Sequence, residues 1–383
     1  MDSPLWRRES RPRLRFDRRE WAGAFGDIGT DLPLLVGMIL AAGLQSAWVL
    51  VAFGTLQILT GLLYRLPMPV QPLKAMAALV IAQKLPASVL WGGGLAIGLI
   101  MALLTATGLL ERLGKLIPKP VVRGVQLGLG LQLGLLALRE YVPALGWRGY
   151  AMALLGFGLL LVGAQARIPA GLWVVGFGLL YAWASSLPWD WPIRYLGLPD
   201  WRVPDFDWAD LWTGLWVLAL PQLPLSLANS LLATRQLAED YFPERRVSLG
   251  KLGWTYAAMN ALAPWIGGVP VCHGSGGMAG HVALGARTGG SVVIYGAVLL
   301  LLGLCWGEGF DELVRAFPLP VLGVLLLIES WALLRLLADQ AAHPADFRLA
   351  LLVGLLAAGL PYGYVVGLIL GTGLYYGLRS RLA

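Results

Sequence analysis

The chain has 383 residues, of which 57% are hydrophobic and only 13% are charged, and its formal net charge is +7. Soluble globular domains carry about 25% charged residues, so this composition argues against a water-soluble enzyme and against a nucleic-acid-binding protein. In a membrane protein, the same positive charge is explained by basic loops on the cytoplasmic side. The composition therefore predicts a polytopic membrane protein.

Residues 1–20 contain seven arginines and no apolar run, which is unlike a cleavable secretory leader. We interpret this segment as a cytoplasmic basic arm that helps to set the topology. A spanning helix needs about 20 apolar residues. Fourteen candidate segments follow the arm, near 21–41, 46–64, 72–84, 91–110, 121–138, 149–166, 169–187, 212–234, 250–264, 274–284, 291–306, 319–337, 347–359 and 361–378. The segments that begin at Pro72 and Gly274 are too short to cross a membrane unaided.

The loop charges predict the orientation of the chain. With the basic arm inside, 22 of the 29 lysines and arginines fall on the cytoplasmic side, six fall on the other side, and Lys74 stays within the membrane. This asymmetry follows the positive-inside rule and places both termini in the cytoplasm. The longest external loop, 188–211, is rich in Trp and Asp, as is typical of an interfacial belt. No further domain is expected after the last span.

Short proline-containing motifs occur twice in the same order. IPKPVV at 117–122 corresponds to FPLPVL at 317–322, and PVQ at 69–71 corresponds to PVC at 270–272. The repeat unit contains seven spans, so the second copy must enter the membrane from the opposite side. The sequence therefore predicts an inverted repeat of 21–187 and 212–383, which is an architecture of secondary transporters.

Each half contains one short helix preceded by an extended segment, PMPVQP at 67–72 and GGVPVCHGSGG at 267–277. Proline suits a first helical turn and forces the residue before it into extended geometry. We expect both helices to begin near the middle of the membrane, with their N-termini converging. Helix N-termini carry partial positive charge and unpaired N–H donors, so the predicted ligand is an anion or a molecule rich in hydrogen-bond acceptors.

Lys74 lies in the first turn of the first short helix, and two interpretations remain open. It is either a structural lysine that snorkels or pairs with Asp27 or Asp31, or the cation that neutralises an anionic substrate. Glu329, in the twelfth span, is interpreted as structural. Polar groups on the short helices, on their extended segments and on the first and eighth spans complete the candidate substrate-binding set, which is Thr30, Gln71, Leu73, Lys74, Ala75, Gln222, Asn229, Cys272, His273, Gly274, Ser275 and Gly276.

Ionisable groups at membrane depth are candidates for function. Asp27, Asp31 and His273 are therefore candidate proton carriers, although Asp27 can equally serve as a helix cap and His273 as a structural residue. Cys272 and His273 are adjacent but lack an activating third group, so we do not expect a nucleophilic enzyme. No cofactor and no metal site are predicted.

FGDIGTDLPLLVGM (25–38), PMPVQPLKAMAA (67–78) and PVCHGSGGMAGHVALGARTGG (270–290) together resemble the molybdate-transporter family of bacteria and plants, a branch of the sulfate permease superfamily. The resemblance implies an all-α, sulfate-permease-like fold of fourteen spans in a seven-plus-seven inverted repeat. It implies a core domain of spans within 21–110 and 212–306, and a gate domain of spans within 121–187 and 319–378. The oxyanion would lie between spans 3 and 10, and a C-terminal regulatory domain would be absent.

The predicted function is secondary active import of molybdate, with sulfate and tungstate as open alternatives, by elevator-type alternating access in the cytoplasmic (inner) membrane. Accumulating a dianion against an inside-negative potential costs about 4.6 kcal/mol per 100 mV, twice the single-charge cost, so proton coupling is expected. The expected partners are the oxyanion, membrane lipid and, left open, a second copy of the chain in a homodimer.

Three alternatives remain at this stage. The same fold could carry another anion, such as bicarbonate, or a nucleobase, although Gln222 and Asn229 stand where a nucleobase carrier typically needs a carboxylate. An uncoupled anion channel and a membrane enzyme built on Cys272 and His273 are the other two.

Overall fold

The computed structural model describes residues 13–110, 112, 116–163, 170–200 and 203–379. In the first half of the chain the elements are α1 (Arg18–Ala24), α2 (Ile28–Ala42), α3 (Ser46–Tyr64), β1 (Val70–Pro72), α4 (Lys74–Gln83), α5 (Ala87–Ala106), α6 (Lys119–Leu136), α7 (Trp147–Gly163) and α8 (Ala170–Ser186). A π-helical turn at Ala137–Tyr141 and a 3-10 turn at Val142–Leu145 follow α6.

In the second half the elements are α9 (Trp191–Arg194), α10 (Trp208–Gly214), α11 (Leu220–Leu225), α12 (Thr234–Tyr241), α13 (Leu249–Leu262), β2 (Val271–His273), α14 (Ser275–Ala283), α15 (Gly290–Ala316), α16 (Leu319–Leu334), α17 (Pro344–Gly359) and α18 (Gly363–Arg379). The π-helical segments Leu215–Ala219 and Ser226–Ala233 join α10, α11 and α12, and 3-10 turns occupy Ala263–Ile266 and Arg335–Gln340.

Within the described residues, each of the fourteen predicted segments contains helix, and the all-α fold class is confirmed. Within the described residues, seven helical segments are long and apolar enough to cross a membrane, namely Arg18–Ala42, Ser46–Tyr64, Ala87–Ala106, Lys119–Leu145, Trp208–Tyr241, Gly290–Ala316 and Leu319–Gln340. The shorter apolar helices include α4. We refer to the two short helices that follow the strands, α4 and α14, as the half-helices. Most of the basic arm (1–12) and the predicted junction of the sixth and seventh spans (164–169) lie outside the described residues.

Two predicted boundaries are wrong. The eleventh span was expected to end at 306, but α15 continues to Ala316 across a break at Trp306, where φ is −148° and ψ is 29°. The eighth span was expected at 212–234, but helical structure runs from Trp208 to Tyr241 through two π-helical segments. Pro221 and Pro224 in this stretch lack amide donors, so the regular i to i−4 hydrogen bonding cannot continue through them.

The two extended segments pair with each other as a two-stranded antiparallel sheet. Val70 lies opposite His273, and Gln71 lies opposite Cys272. Each strand leads directly into a short helix, β1 into α4 and β2 into α14. The strands run in opposite directions, so α4 and α14 leave from opposite ends of the sheet, and because each strand is only three residues long the two helices begin near one another.

A buried amide side chain anchors each strand in the same way. Gln57 on α3 accepts from the Val70 amide at 2.8 Å and donates to the Val70 carbonyl at 2.7 Å. Asn260 on α13 makes the same two bonds to Val271, at 2.9 and 2.7 Å. These bonds satisfy backbone groups that would otherwise be unpaired in a nonpolar interior. The same anchoring device thus occurs once in each half of the chain.

The remaining helices pack into two groups around this centre. In one group α3 packs along α15, and α5 packs against α13 and α10. In the other group α6 packs against α16 and α17, while α17 packs against α18. Glycines allow close approach within both groups: a Cβ at Gly54 of α3 would meet α15 backbone at 2.6 Å, and one at Gly124 of α6 would meet the Ala350 carbonyl of α17 at 2.7 Å.

Candidate functional site

A cavity of about 330 Å³ lies at the point where the two half-helices begin. Its walls come from both half-helices, the π-helical segment Ser226–Ala233, α6 and α16. The lining residues are Gln71, Lys74, Arg123, Gln222, Leu225, Asn229, Ser230, Cys272, His273, Gly274, Ser275, Gly276, Glu329, Ala332, Leu333, Arg335 and Leu336.

The N-terminus of α14 presents free donors to this cavity. The cap residue Gly274 provides no side-chain hydrogen bond, and within the described residues the amides of Ser275, Gly276 and Gly277 have no acceptor. Gly276 is exposed to the cavity, and a Cβ added there would meet nothing within 4 Å. Unpaired N–H groups at a helix start attract anions, so this turn is suited to binding the negatively charged oxygen atoms of an oxyanion.

The N-terminus of α4 differs from that expectation. The side-chain oxygen of Gln222 accepts from the amides of Ala75 and Met76, at 2.9 and 3.3 Å. Gln222 therefore caps α4 from the eighth span, and its amide nitrogen donates to Ser226 at 3.1 Å. The prediction that both half-helices offer several free amides is thus wrong for α4, because a side chain from the other half already occupies two of them.

Lys74 forms an ion pair within the cavity. Its Nζ lies 3.7 Å from Oε2 of Glu329 on α16, and the two side chains are 32% and 7% exposed. The expected structural partners Asp27 and Asp31 are not in ion-pair contact with it. Glu329 was interpreted as structural and is instead a cavity residue, because α16 turns this face toward α4. The ammonium group therefore remains accessible to a ligand that enters the cavity.

Two arginines were missed as cavity residues. The loop charges assigned Arg123 and Arg335 to the cytoplasmic side, yet both line the cavity. Arg123 donates to both carboxylate oxygens of Asp339 and, at 2.9 Å, to Gln126. The lining thus carries three cationic side chains, of which Lys74 is paired with Glu329 and Arg123 with Asp339. Hydropathy located these arginines at helix ends, but no sequence signal indicated which side they face.

Asp27 and Asp31 lie behind the half-helices rather than in the cavity. Gln71 donates to both oxygens of Asp27 at 2.7 Å, and a Cβ at Gly277 would collide with Oδ2 of Asp27. The Asp27 carboxylate therefore lies directly against the first turn of α14. Asp31 is fully buried; its Oδ2 accepts from Tyr295 at 3.4 Å, and its Oδ1 has no partner among the described residues.

His273 lines the cavity, and its ring contacts side chains of α3 and α13. Its Nε2 lies 2.6 Å from Thr255 Oγ1 and 3.5 Å from the Tyr64 hydroxyl, and its Nδ1 is unpaired among the described groups. The ring is fully buried and stacks edge-on against Tyr64. As β2 is extended, successive side chains point to opposite faces, so Cys272 and His273 cannot act together on one ligand.

The remaining predicted residues divide into two sets. Gln71, Cys272, Gly274, Ser275 and Asn229 line the cavity. Leu73 and Ala75 are buried and Thr30 lies on α2, and none of these three is a lining residue of the cavity. The Leu73 amide donates to the Pro270 carbonyl at 3.0 Å, which extends the pairing between the two halves.

A multi-pass helical protein whose two half-helices begin at one shared cavity has the architecture of a secondary transporter. The fold is similar to that of the transmembrane domain of a cyanobacterium bicarbonate transporter BicA, with a TM-score of 0.65 and 18% identity over 91% of this chain and 99% of that chain. It is also similar to the murine Solute Carrier 26 family member A9 anion transporter in the inward-facing state, with a TM-score of 0.70 and 14% identity over 97% of this chain and 69% of that chain.

Sequence comparison gives the family. Residues 19–133 and 214–333 match the family model described as "Molybdate transporter of MFS superfamily". Molybdate transporter 2 of Arabidopsis thaliana is 32% identical over 375 residues, which cover 86% of this chain and 80% of that protein. Molybdate transporter 1 of Chlamydomonas reinhardtii is 29% identical, with 91% of this chain and 90% of that protein covered. The chain belongs to the molybdate transporter family.

Proposed function

We propose that this protein is a secondary active transporter that imports molybdate across the cytoplasmic membrane. The observation that carries the proposal is one cavity lined by Lys74 and by Ser275 and Gly276, whose amides are unpaired among the described residues. A tetrahedral dianion presents four acceptor oxygens and no donor, which matches a site of N–H donors and cationic side chains. The names of the relatives support molybdate as the substrate.

The Lys74–Glu329 ion pair fits a site that is occupied only part of the time. Without substrate, Glu329 compensates the charge of Lys74 at 3.7 Å. An unpaired ammonium ion in such a site would be costly. We infer that the ion pair between Lys74 and Glu329 breaks when the dianion enters, because Lys74 then pairs with the dianion. The Lys74–Glu329 ion pair re-forms when the dianion leaves. The pair therefore serves both binding and release.

The position of the cavity supports alternating access. The lining combines residues of α4, β2 and α14 with residues of α6 and α16. We propose that the half-helices belong to a core that moves against a gate containing α6 and α16, in the manner of an elevator. Arg123 and Arg335 line the cavity on the side that the loop charges assign to the cytoplasm, so the present arrangement is interpreted as inward-facing.

Proton coupling is proposed through Asp27. Its carboxylate lies against the first turn of α14, next to the amides that would bind the anion. Two negative charges at one helix start repel each other, so protonation of Asp27 favours anion binding, and anion binding favours protonation to the same extent. This linkage supplies free energy toward the cost of about 4.6 kcal/mol per 100 mV for a dianion.

Labelled molybdate uptake into proteoliposomes tests the transport proposal. The wild type should accumulate molybdate, with unlabelled tungstate and sulfate as competitors, and Lys74→Met should lower uptake by at least about tenfold through loss of a charge-assisted contact. Lys84→Met is the matched control, because Lys84 pairs with Glu140 at an exposed position. Equal uptake in wild type and Lys74→Met would contradict the proposal, and current without accumulation would indicate a channel.

The coupling proposal has a separate test. Wild-type uptake should rise as the external pH falls, whereas Asp27→Asn should transport at a rate that does not depend on pH. Uptake that is independent of pH in both proteins would refute proton coupling and leave molybdate transport intact.

A further inference from the structure

A second, larger cavity lies outside the transport site. Its volume is about 870 Å³, and its lining comes from residues 13 and 15, the end of α3 and the following loop (62–66), the loop before α13 (244–247), Lys251, and residues 287 and 288. We call it the basic cavity. None of its lining residues is shared with the transport cavity, and none comes from α6 or α16.

The basic cavity concentrates positive charge. Its charged lining residues are Glu244 and seven basic residues, Arg13, Arg15, Arg65, Arg245, Arg246, Lys251 and Arg287. The net charge of this lining is +6, in a chain whose total is +7. Within the described residues, no carboxylate lies within ion-pair distance of Arg13, Arg15 or Arg246. Like charges at this density repel one another, and a bound anion would reduce that repulsion.

Local contacts hold the basic groups in place. Lys251 Nζ donates to the Leu63 carbonyl at 3.1 Å and lies 4.4 Å from the centre of the Tyr64 ring. The Arg15 amide donates to Thr288 at 3.2 Å, which fixes the N-terminal stretch against the loop before α15. Partial burial lowers the pKa of the Arg245 guanidinium; Glu244 opposes this effect, and the nearby Arg15 adds to it. The cluster is therefore positioned before any ligand arrives.

The rim of the basic cavity includes apolar surface. Leu62 and Leu63 at the end of α3 are 48% and 51% exposed, in a helix long enough to span the membrane. The loop charges place this end of α3 on the cytoplasmic side. Basic pockets beside transmembrane helices on that side suit phosphorylated headgroups, because acyl chains can contact the apolar rim while phosphates reach the basic residues.

We propose that the basic cavity binds a multiply charged phosphate anion, either the headgroup of an anionic phospholipid or a soluble polyphosphate. Arginine is suited to this ligand because its guanidinium binds phosphate oxygens in a bidentate manner. Molybdate would not need seven basic residues, whereas several phosphate groups would use them together. The proposal does not depend on the transported substrate, since the two cavities are lined by different residues.

Calorimetric titration of the full-length protein with tripolyphosphate tests the binding site. In phosphatidylcholine nanodiscs, the wild type should bind one tripolyphosphate, and Arg15→Gln/Arg246→Gln should bind it about thirtyfold more weakly. Arg148→Gln/Arg315→Gln is the control, because it removes the same charge at exposed positions outside the basic cavity. Thermal unfolding without ligand checks that both double variants are folded.

A second arm uses nanodiscs that contain cardiolipin. If the lipid headgroup is the occupant, cardiolipin should raise the wild-type unfolding temperature and weaken tripolyphosphate binding, with neither effect in Arg15→Gln/Arg246→Gln. If the occupant is soluble, cardiolipin should leave the titration unchanged. Equal tripolyphosphate affinity in the wild type and Arg15→Gln/Arg246→Gln would overturn the proposal. Displacement of tripolyphosphate by molybdate at concentrations that saturate uptake would also overturn it, because the cavity would then belong to the transport path.

Discussion

The ion pair between Lys74 and Glu329 makes a prediction that opposes simple intuition about a substrate cavity. The change is Glu329→Gln, which keeps the size of the side chain and removes its charge. If the dianion binds Lys74 in place of Glu329, then the free energy of molybdate binding includes the cost of separating the Lys74–Glu329 ion pair. Removing the charge of Glu329 should therefore strengthen molybdate binding rather than weaken it.

The size of the effect follows from the distance. At 3.7 Å between Nζ and Oε2, the Coulomb energy of the pair is about 1 kcal/mol at the dielectric constant of water and about 4 kcal/mol at an effective value of 20. Lys74 is about one-third exposed in the cavity, so the lower figure applies more closely. An energy of about 1 kcal/mol corresponds to an apparent KM lower by about fivefold. Maximal uptake should fall, because Lys74 then lacks a partner that helps to release the dianion.

The assay is the concentration dependence of molybdate uptake in proteoliposomes for the wild type, Lys74→Met, Glu329→Gln and the double variant. Glu140→Gln is the control, since Glu140 belongs to an ion pair with both members exposed. If the pair were only structural, both single variants would unfold at lower temperature, the double variant would regain stability, and none would change KM. An increase in KM for Glu329→Gln would refute the reasoning.

Three further substitutions separate binding from folding. Gly276→Ala should leave the unfolding temperature unchanged, because a Cβ there meets nothing within 4 Å. It should weaken molybdate binding about tenfold, because the added methyl group obstructs an N–H donor. An unchanged affinity would mean that the anion binds elsewhere. Gly277→Ala should destabilise the fold by about 1–3 kcal/mol, since its Cβ would collide with Asp27, and a wild-type unfolding temperature would contradict that packing. Gln222→Leu should lower the free energy of unfolding by about 1–3 kcal/mol, because the buried amides of Ala75 and Met76 lose their acceptor. Denaturant unfolding measures this loss. An unchanged free energy of unfolding would mean that Gln222 does not cap α4.

Much of the architecture was readable from short-range chemistry. Long apolar segments located the helices, because backbone groups in lipid must be satisfied within the segment. Proline and glycine in 67–72 and 267–277 predicted extended backbone followed by two short helices, and β1, α4, β2 and α14 lie there. These signals depend on residues a few positions apart, so one sequence is enough to interpret them.

The partners of the site residues were decided by packing between distant parts of the chain. Sequence placed Lys74 in the cavity but offered Asp27 or Asp31 as partners, whereas α16 supplies Glu329. Sequence offered Gln222 as a ligand for the substrate, and the structure adds that this cavity residue also caps α4. Which face of α16 turns inward is set by contacts along the whole helix, and a helix as evenly apolar as α16 carries little periodic signal that reveals its inward face.

The sequence by itself thus indicated that the chain spans a membrane and that each half contains a short helix after an extended segment, and it predicted a ligand that is an anion or is rich in hydrogen-bond acceptors. Only the tertiary structure decided which N–H groups remain free, which carboxylate compensates Lys74, and that a second basic cavity exists apart from the first. The physical reason is one of range. Hydropathy and backbone restrictions act on neighbours in sequence, whereas ion pairs and caps join side chains that folding brings together from opposite halves.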